Sequence, residues 1–399
     1  MKSEVKLALF ATLFFGAAGG VFSSTISNYL ADVQHLDAGQ RGWLEFPREL
    51  PGFLIIFVSG ALLVFLRETQ MAAFAMLFTC IGSLGLAFLP SNVAGLVAFT
   101  MIWSLGDHII FAVESPIALR LARDGAEGKR LGQFGGARNI GTILGVAVVY
   151  VLAKLLGDRY SLLYTFASAC ALTAGVLYWR LRVGREDQRS SRIVLRKKYS
   201  LFYLISALFG LHKQIFLVFG GWVLVKKYDV PVSTIALLFF IAATLGVIFR
   251  PLMGEIIDWL GERTVLSADE FVLALVCLSY AFASDLVPKP YDVYLLYATY
   301  ILDSLLYALR VARTTYLKKI AVAPTDITSS AAVGVTIEHA LSMSLPVFSG
   351  YIWVTWGYRW VFLLAASIAA AGFFVCLRIR VPKSAEPVGP LAPESEEGF

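Results

Sequence analysis

His212 and Lys213 stand side by side in the middle of a long apolar run, FYLISALFGLHKQIFLVFGGWVL. They are not alone. Glu45, Arg48 and Glu49 lie together in WLEFPRELPGF, Asp107, His108 and Glu114 share another run, and Arg138, Asp303, Arg310, Arg313, Glu338 and His339 interrupt three more. An ionisable group at the centre of a bilayer-spanning helix costs ~2.5 to 3.5 kcal/mol on insertion scales, so each points to a polar cavity or to a partner. Two cations in a dry cavity can recognise a carboxylate or phosphate, which makes Lys213 with Arg310 or Arg313 a candidate site for an anionic solute. The alternative is that Asp303 or Asp107 neutralises Lys213 and the group only holds the molecule together. His108, His212 and His339 titrate nearest neutral pH, and Asp107 or Asp303 can be brought there by desolvation, so these five are the candidate proton carriers.

The chemistry is not that of an enzyme. The chain has no GxxxxGK[ST] phosphate loop, no HExxH and no GxSxG elbow, and no loop long enough to hold a catalytic domain. An ATP-driven pump is excluded on the same ground, so energy would come from a gradient. Cys80, Cys170, Cys277 and Cys376 all fall inside apolar runs without metal-ligand spacing. Neither a metal nor a cofactor is expected.

The elements that must position these groups follow from composition. Of 399 residues, 58% are apolar and 16% charged, with a mean hydropathy of +0.72, where soluble domains run near ~25% charged. At ~20 apolar residues per crossing, the expected fold is an all-α polytopic membrane protein of twelve transmembrane helices in two pseudo-symmetric six-helix bundles. The spans are read as 6–30, 42–66, 70–90, 93–121, 131–156 and 160–182, then 199–226, 232–257, 264–286, 291–319, 329–353 and 358–380. They define an N-terminal bundle over 1–182, a cytoplasmic linker over 183–198, a C-terminal bundle over 199–380 and a disordered cytoplasmic tail over 381–399. With both termini inside, most Lys and Arg fall on the cytoplasmic loops, and only Arg41, Arg159, Lys226, Lys227, Lys289 and Arg359 fall outside. The net charge of +6 then reflects orientation in a cytoplasmic (inner) membrane and calls for no nucleic acid; a monomer in the bilayer is expected.

The halves repeat. At one constant offset Phe15 and Gly16 fall on Phe209 and Gly210, Gly52 on Gly246 and Gly60 on Gly254; a slightly larger offset places Asp107 on Asp303. Parallel repeats of six spans are the architecture of alternating-access transporters, with the solute site between the halves near mid-membrane.

The loop between spans 8 and 9, Gly254-Glu255-Ile256-Ile257-Asp258-Trp259-Leu260-Gly261-Glu262-Arg263, is similar to the GxxxDxxGxR loop of the major facilitator superfamily. The resemblance implies that Gly254 lets two helices close on each other, that Asp258 caps or faces a helix N terminus and that Gly261 serves a tight turn, with Arg263 among the ion-pair or gating residues. Trp259 and Glu262 depart from the family's basic positions. The equivalent first-half loop keeps Gly60 but carries Val64 for the aspartate and Arg67 for the second glycine.

Depth along the spans suggests pairs: Glu114 of span 4 with Arg138 of span 5, and Arg310 of span 10 with Glu338 of span 11. These four gate or brace the bundles or touch solute directly. Asp303, Tyr307, Arg310 and Thr314 align on one face of span 10 as a cavity wall. Ser24 and Asn28 head a neutral hydrogen-bonding surface on span 1. Glu45, Arg48 and Glu49 form a shallow outer gate or a brace on span 2, which Pro47 and Pro51 should bend. The expected function is secondary active transport of a small polar, anionic solute coupled to protons. An exporter or flippase of amphipathic molecules and a non-transporting sensor are the alternatives.

Overall fold

A computed structural model describes residues 2–89, 91–123, 125–183 and 196–381, with the side chains of 2, 55–64, 324, 325 and 328 outside the description. Most of the linker and nearly all of the tail therefore lie outside it, as do the side chains of Gly60 and Val64. The described residues are helical throughout, without a strand. The helices are α1 (Lys2–Asp32), α2 (Ala38–Phe65), α3 (Glu68–Phe88), α4 (Val93–Arg120), α5 (Glu127–Leu156), α6 (Tyr160–Arg180), α7 (Ser200–Tyr228), α8 (Val232–Leu286), α9 (Asp292–Leu306), α10 (Val311–Ile320), α11 (Pro324–Trp356) and α12 (Tyr358–Cys376).

Local chemistry sets many of the boundaries. The Asn92 side chain accepts from the Gly95 amide at 3.0 Å and starts α4. Asp229 ends α7 in a left-handed conformation, and Gly357, at φ +95°, ends α11. Ten helices among the described residues are long and apolar enough to cross a membrane. One of them, α8, is a 55-residue run that breaks at Gly261, where φ is +79° and ψ 158°. Between α9 and α10 the chain tightens into a 3-10 turn over Tyr307–Arg310.

Helix α1 packs on α5 and α6, α3 on α4 and α6, and α2 on α4; α7 packs on α11 and α12, and α8 on α9 and α12. Across these groups α2 meets α11 and α5 meets α8. The α1–α5 seam is close because each helix offers small residues to the other: Gly16 faces the Arg138 backbone, and Gly141 and Gly145 face the backbone of Leu13 and Ala17. Small-xxx-small spacing permits this approach in a membrane, where packing rather than water exclusion drives association.

The two ends of the helix array differ. At the end holding the α1–α2 and α7–α8 connections, one apolar cluster joins both groups of helices, with Phe22, Tyr29, Trp103 and Tyr164 continuous with Phe219, Trp222, Tyr280 and Phe362. Here Gly350 lies so close to α2 that an added Cβ would stand 2.6 Å from the Ala38 carbonyl oxygen. At the opposite end the core divides. One cluster draws only on residues 5–183, the other only on 199–381. The groups are joined at the first end and parted at the second, which leaves a cleft between them.

Candidate functional site

Basic side chains enter the cleft from both sides. Arg138 of α5 pairs with Glu114 of α4, and its guanidinium lies over the rings of Phe111 at 4.9 Å and Phe15 at 5.5 Å. Across the cleft Arg313 of α10 pairs with Glu338 of α11 and lies 3.6 Å over the ring of Phe209. Phe15 and Phe209 are the repeat-related pair, so each half seats an arginine on the same phenylalanine, with acid and base exchanged between their helices. Stacking and a carboxylate together hold each guanidinium in place.

The second pair differs from the register expected on span 10, which matches Arg310 with Glu338. The 3-10 turn is the physical cause. It winds about 20° more per residue than an α-helix, so its four residues rotate the start of α10 by roughly 80°. Arg313 therefore reaches Glu338, while Arg310 is exposed and donates only to the Tyr307 hydroxyl. The same turn breaks the face that would group Thr314 with Asp303; Thr314 is exposed.

Lys213 sits 2.8 Å from the centroid of the Tyr307 ring and within electrostatic range of Asp303, Arg310 and Arg313. No carboxylate lies within ion-pair distance of it among the described residues, so neither Asp303 nor Asp107 neutralises it directly. Arg250 of α8 and Arg310 lie within electrostatic range of Arg138. Lys213, Arg250 and Arg310 thus project positive charge without a carboxylate partner among the described residues. Arg250 had no place in the sequence-based site, although it precedes Pro251 in an apolar run as conspicuously as Arg138 interrupts its own.

Three expected site residues are engaged elsewhere. The Ser24 hydroxyl donates to the Gly20 carbonyl of its own helix at 2.8 Å, as small hydroxyls do when nothing else is in reach. Asn28 Nδ2 donates to the Val230 carbonyl at 2.8 Å, across the joined end. The His212 ring is buried, 3.2 Å from Cys277 Sγ, and faces away from the cleft because Lys213, one residue on, takes the cleft side. Asp107 and Asp303 remain half-buried. Asp107 lies in electrostatic range of Arg138 and Arg48, and Asp303 in that of Lys213.

The Glu45, Arg48, Glu49 cluster is packed into the protein. Glu45 is fully buried, bound by Arg41 and Arg48 of its own helix and by Gln214 Nε2 of α7 at 2.9 Å. Glu49 pairs with Arg48 and with His339 Nδ1 of α11 at 3.0 Å. The cluster on α2 is a charged seam to α7 and α11, buried where the cleft closes. Helix α2 continues through Pro47 and Pro51, and Ser104 of α4 donates to the Arg48 carbonyl between them at 2.5 Å.

In this loop the ion pair is made by a different residue. Gly261 makes the turn, but no atom lies within 4 Å of where a Cβ on Gly254 would stand, and Asp258 and Arg263 are exposed. Among the described residues no neighbouring helix stands against Gly254. Glu262 pairs instead with Lys319 at 2.6 Å, and Glu68 pairs with Arg120 at 2.5 Å. Glu68 falls on Glu262 at the same offset that relates Phe15 to Phe209, so the repeat held the signal for this ion pair although the motif did not.

A model of the Major Facilitator Superfamily matches residues 8–317. The chain belongs to the major facilitator superfamily. No curated protein matches its sequence at a significant level. Among solved structures, the nucleoside transporter NupG is similar at 14% identity with a TM-score of 0.78, over 95% of this chain and 99% of that one. A D-xylose-proton symporter matches at 15% identity and 0.71, over 95% and 97%. A bacterial homolog of the human lysosomal transporter Spinster, inward-facing and unoccupied, matches at 13% and 0.72, over 95% and 97%. At these identities the likeness is one of fold. This superfamily member is an integral, multi-pass membrane transporter by family and by its apolar helices, and its own cleft supplies what is particular to it.

Proposed function

We propose that this major facilitator chain carries a small anionic solute by alternating access, using twelve crossings in two six-helix halves. The break at Gly261 divides α8 into two helices each long enough to span, and α9, the 3-10 turn and α10 together make one crossing. Excess Lys and Arg on the linker and α2–α3 side favours cytoplasmic termini, so the cleft opens inward.

The observation that carries the anion reading is that Lys213, Arg250 and Arg310 reach the cleft without carboxylate partners among the described residues, while Arg138 and Arg313 are already paired. A carboxylate or phosphate entering there would gain charge-assisted hydrogen bonds in a partly dehydrated space. Asp303 is the proposed proton carrier: ionised, it attracts Lys213, and protonated, it releases that charge to the solute. Titrating purified full-length protein with a panel of organic anions and phosphate esters tests this. Saturable stabilisation that Lys213→Ala removes, and uptake into proteoliposomes driven by a pH gradient that Asp303→Asn uncouples, are the expected results. Stabilisation by neutral solutes only, or unchanged anion affinity in Lys213→Ala, would overturn it.

A further inference from the structure

Where α2, α4 and α11 meet, Glu49, His108 and His339 turn one ligand atom each toward a common point, all within 4.8 Å of one another. His339 Nδ1 lies 3.0 Å and His108 Nε2 3.9 Å from the same oxygen, Glu49 Oε2. We propose that these three side chains form a binding site for a borderline divalent transition-metal ion of the zinc type, with a fourth position open to water. Nothing in the spacing of these residues along the chain announces it, since they come from three helices.

The details fit a metal better than a plain ion pair. His108 Nδ1 lies 2.8 Å from the Ser104 carbonyl, and a proton donated there leaves Nε2 as the lone-pair atom facing Glu49. Ligating histidines are commonly oriented by such a bond from the other ring nitrogen. The two rings stand 5.1 Å apart, edge to face. Room for them exists because residue 52 is glycine: a Cβ there would collide with both His108 and His339. Two imidazoles and one carboxylate with an open position suit zinc at ~2.0 to 2.2 Å, which places ligand atoms about 3.3 Å apart. The present separations lie on either side of that value, so small side-chain rotations close the site.

Charge permits it. Arg48 is bound by Glu45 and Glu49, Arg41 by Glu45, and Asp107 lies within electrostatic range of Arg48 and Glu49. With Arg138, which Asp107 also faces and Glu114 pairs, four carboxylates face three guanidiniums before a cation enters. His108 and His339 are partly exposed, with side-chain accessibilities of 12% and 23%, so an ion has a path in.

The ligands come from both groups of helices, so an occupied site would clamp the joined end shut. This consequence rests on the alternating-access reading; the site itself does not. Zinc titration of purified full-length protein should show one saturable site per chain, and Co2+ should give tetrahedral ligand-field bands. His108→Gln, His339→Gln and Glu49→Gln should each weaken binding at least tenfold, while His35→Gln, on the surface, should not. X-ray absorption of the zinc-loaded unaltered chain should find two imidazoles per ion, which reads the site even if a variant fails to fold. No saturable zinc binding, binding unaffected by both His108→Gln and His339→Gln, or zinc without imidazole neighbours would overturn the proposal. In proteoliposomes zinc on the cleft side should block flux; zinc binding without flux of any solute would count against the transport reading and leave the site standing.

Discussion

Gln214→Leu should loosen the joined end of the molecule by an amount the structure allows one to work out. Gln214 on α7 donates to the buried carboxylate of Glu45 on α2 at 2.9 Å, and both side chains are almost wholly inaccessible. A hydrogen bond to a charged group contributes about 1.5 to 3 kcal/mol. Leucine keeps much of the volume, and Glu45 retains Arg41 and Arg48, so the loss falls on the link between α2 and α7. At 1.36 kcal/mol per decade, the population with that end open should rise roughly tenfold to 150-fold. Ser27 is half-buried, so alkylation of Ser27→Cys by a membrane-impermeant reagent applied on the joined-end side reads this even when the open form is rare. Ser27 lies on α1 against α7, its Oγ 3.2 Å from where a Gly221 Cβ would stand, and the four native cysteines are buried. The alkylation rate should increase by that factor. Asn139→Ala, which removes a neutral 3.2 Å bond from α5 to the Ala243 carbonyl of α8, should raise it only about two- to twelvefold. An unchanged rate in Gln214→Leu, or a larger rise in Asn139→Ala, would refute the claim that the α2 seam holds this end.

Arg313→Ala strands the Glu338 carboxylate, which is 21% accessible, and should cost less than the ~3 to 5 kcal/mol of a fully buried pair, read as a lower thermal midpoint. Lys213→Ala strands no carboxylate and should leave the midpoint nearly in place. Glu262 and Lys319 pair across a half-open site, since Lys319 is 43% accessible; a double-mutant cycle of Glu262→Gln and Lys319→Met should therefore return no more than ~1 kcal/mol of coupling, weaker in high salt. At the start of α11, outside its membrane-spanning stretch, hydrogen bonds from Tyr199 and then Arg196 hold the Asp326 carboxyl below its ordinary range. A depressed folded value gives stability that is present above the unfolded value near ~3.9 and lost as pH falls through the folded one. Thermal scans below about pH 4 should show a larger loss in the native protein than in Asp326→Asn.

Sequence spacing made the helices, the pseudo-repeat and the Glu114–Arg138 pair legible, because each depends on local pattern or on depth along a single helix. The wrong partner for Glu338 came from assuming that span 10 is one regular helix; the Tyr307–Arg310 turn is made of ordinary helix-forming residues and carries no local mark. The His108–His339–Glu49 junction was likewise invisible, since its members are far apart in the chain and no periodicity relates them. Glu262 was visible only as a departure from a motif, yet its repeat partner Glu68 was there to be matched.

What the sequence determined by itself is therefore the membrane, the family and the set of charged side chains inside the apolar helices. Each helix satisfies its own backbone in lipid, so hydropathy and charge placement suffice to specify it. Only the tertiary structure decided which of those charges meet and which have no ion-pair partner among the described residues. Helix rotation and register turn Arg313 toward Glu338, Glu45 toward Gln214 and His212 away from the cleft, and they depend on close packing between segments that the chain does not place side by side.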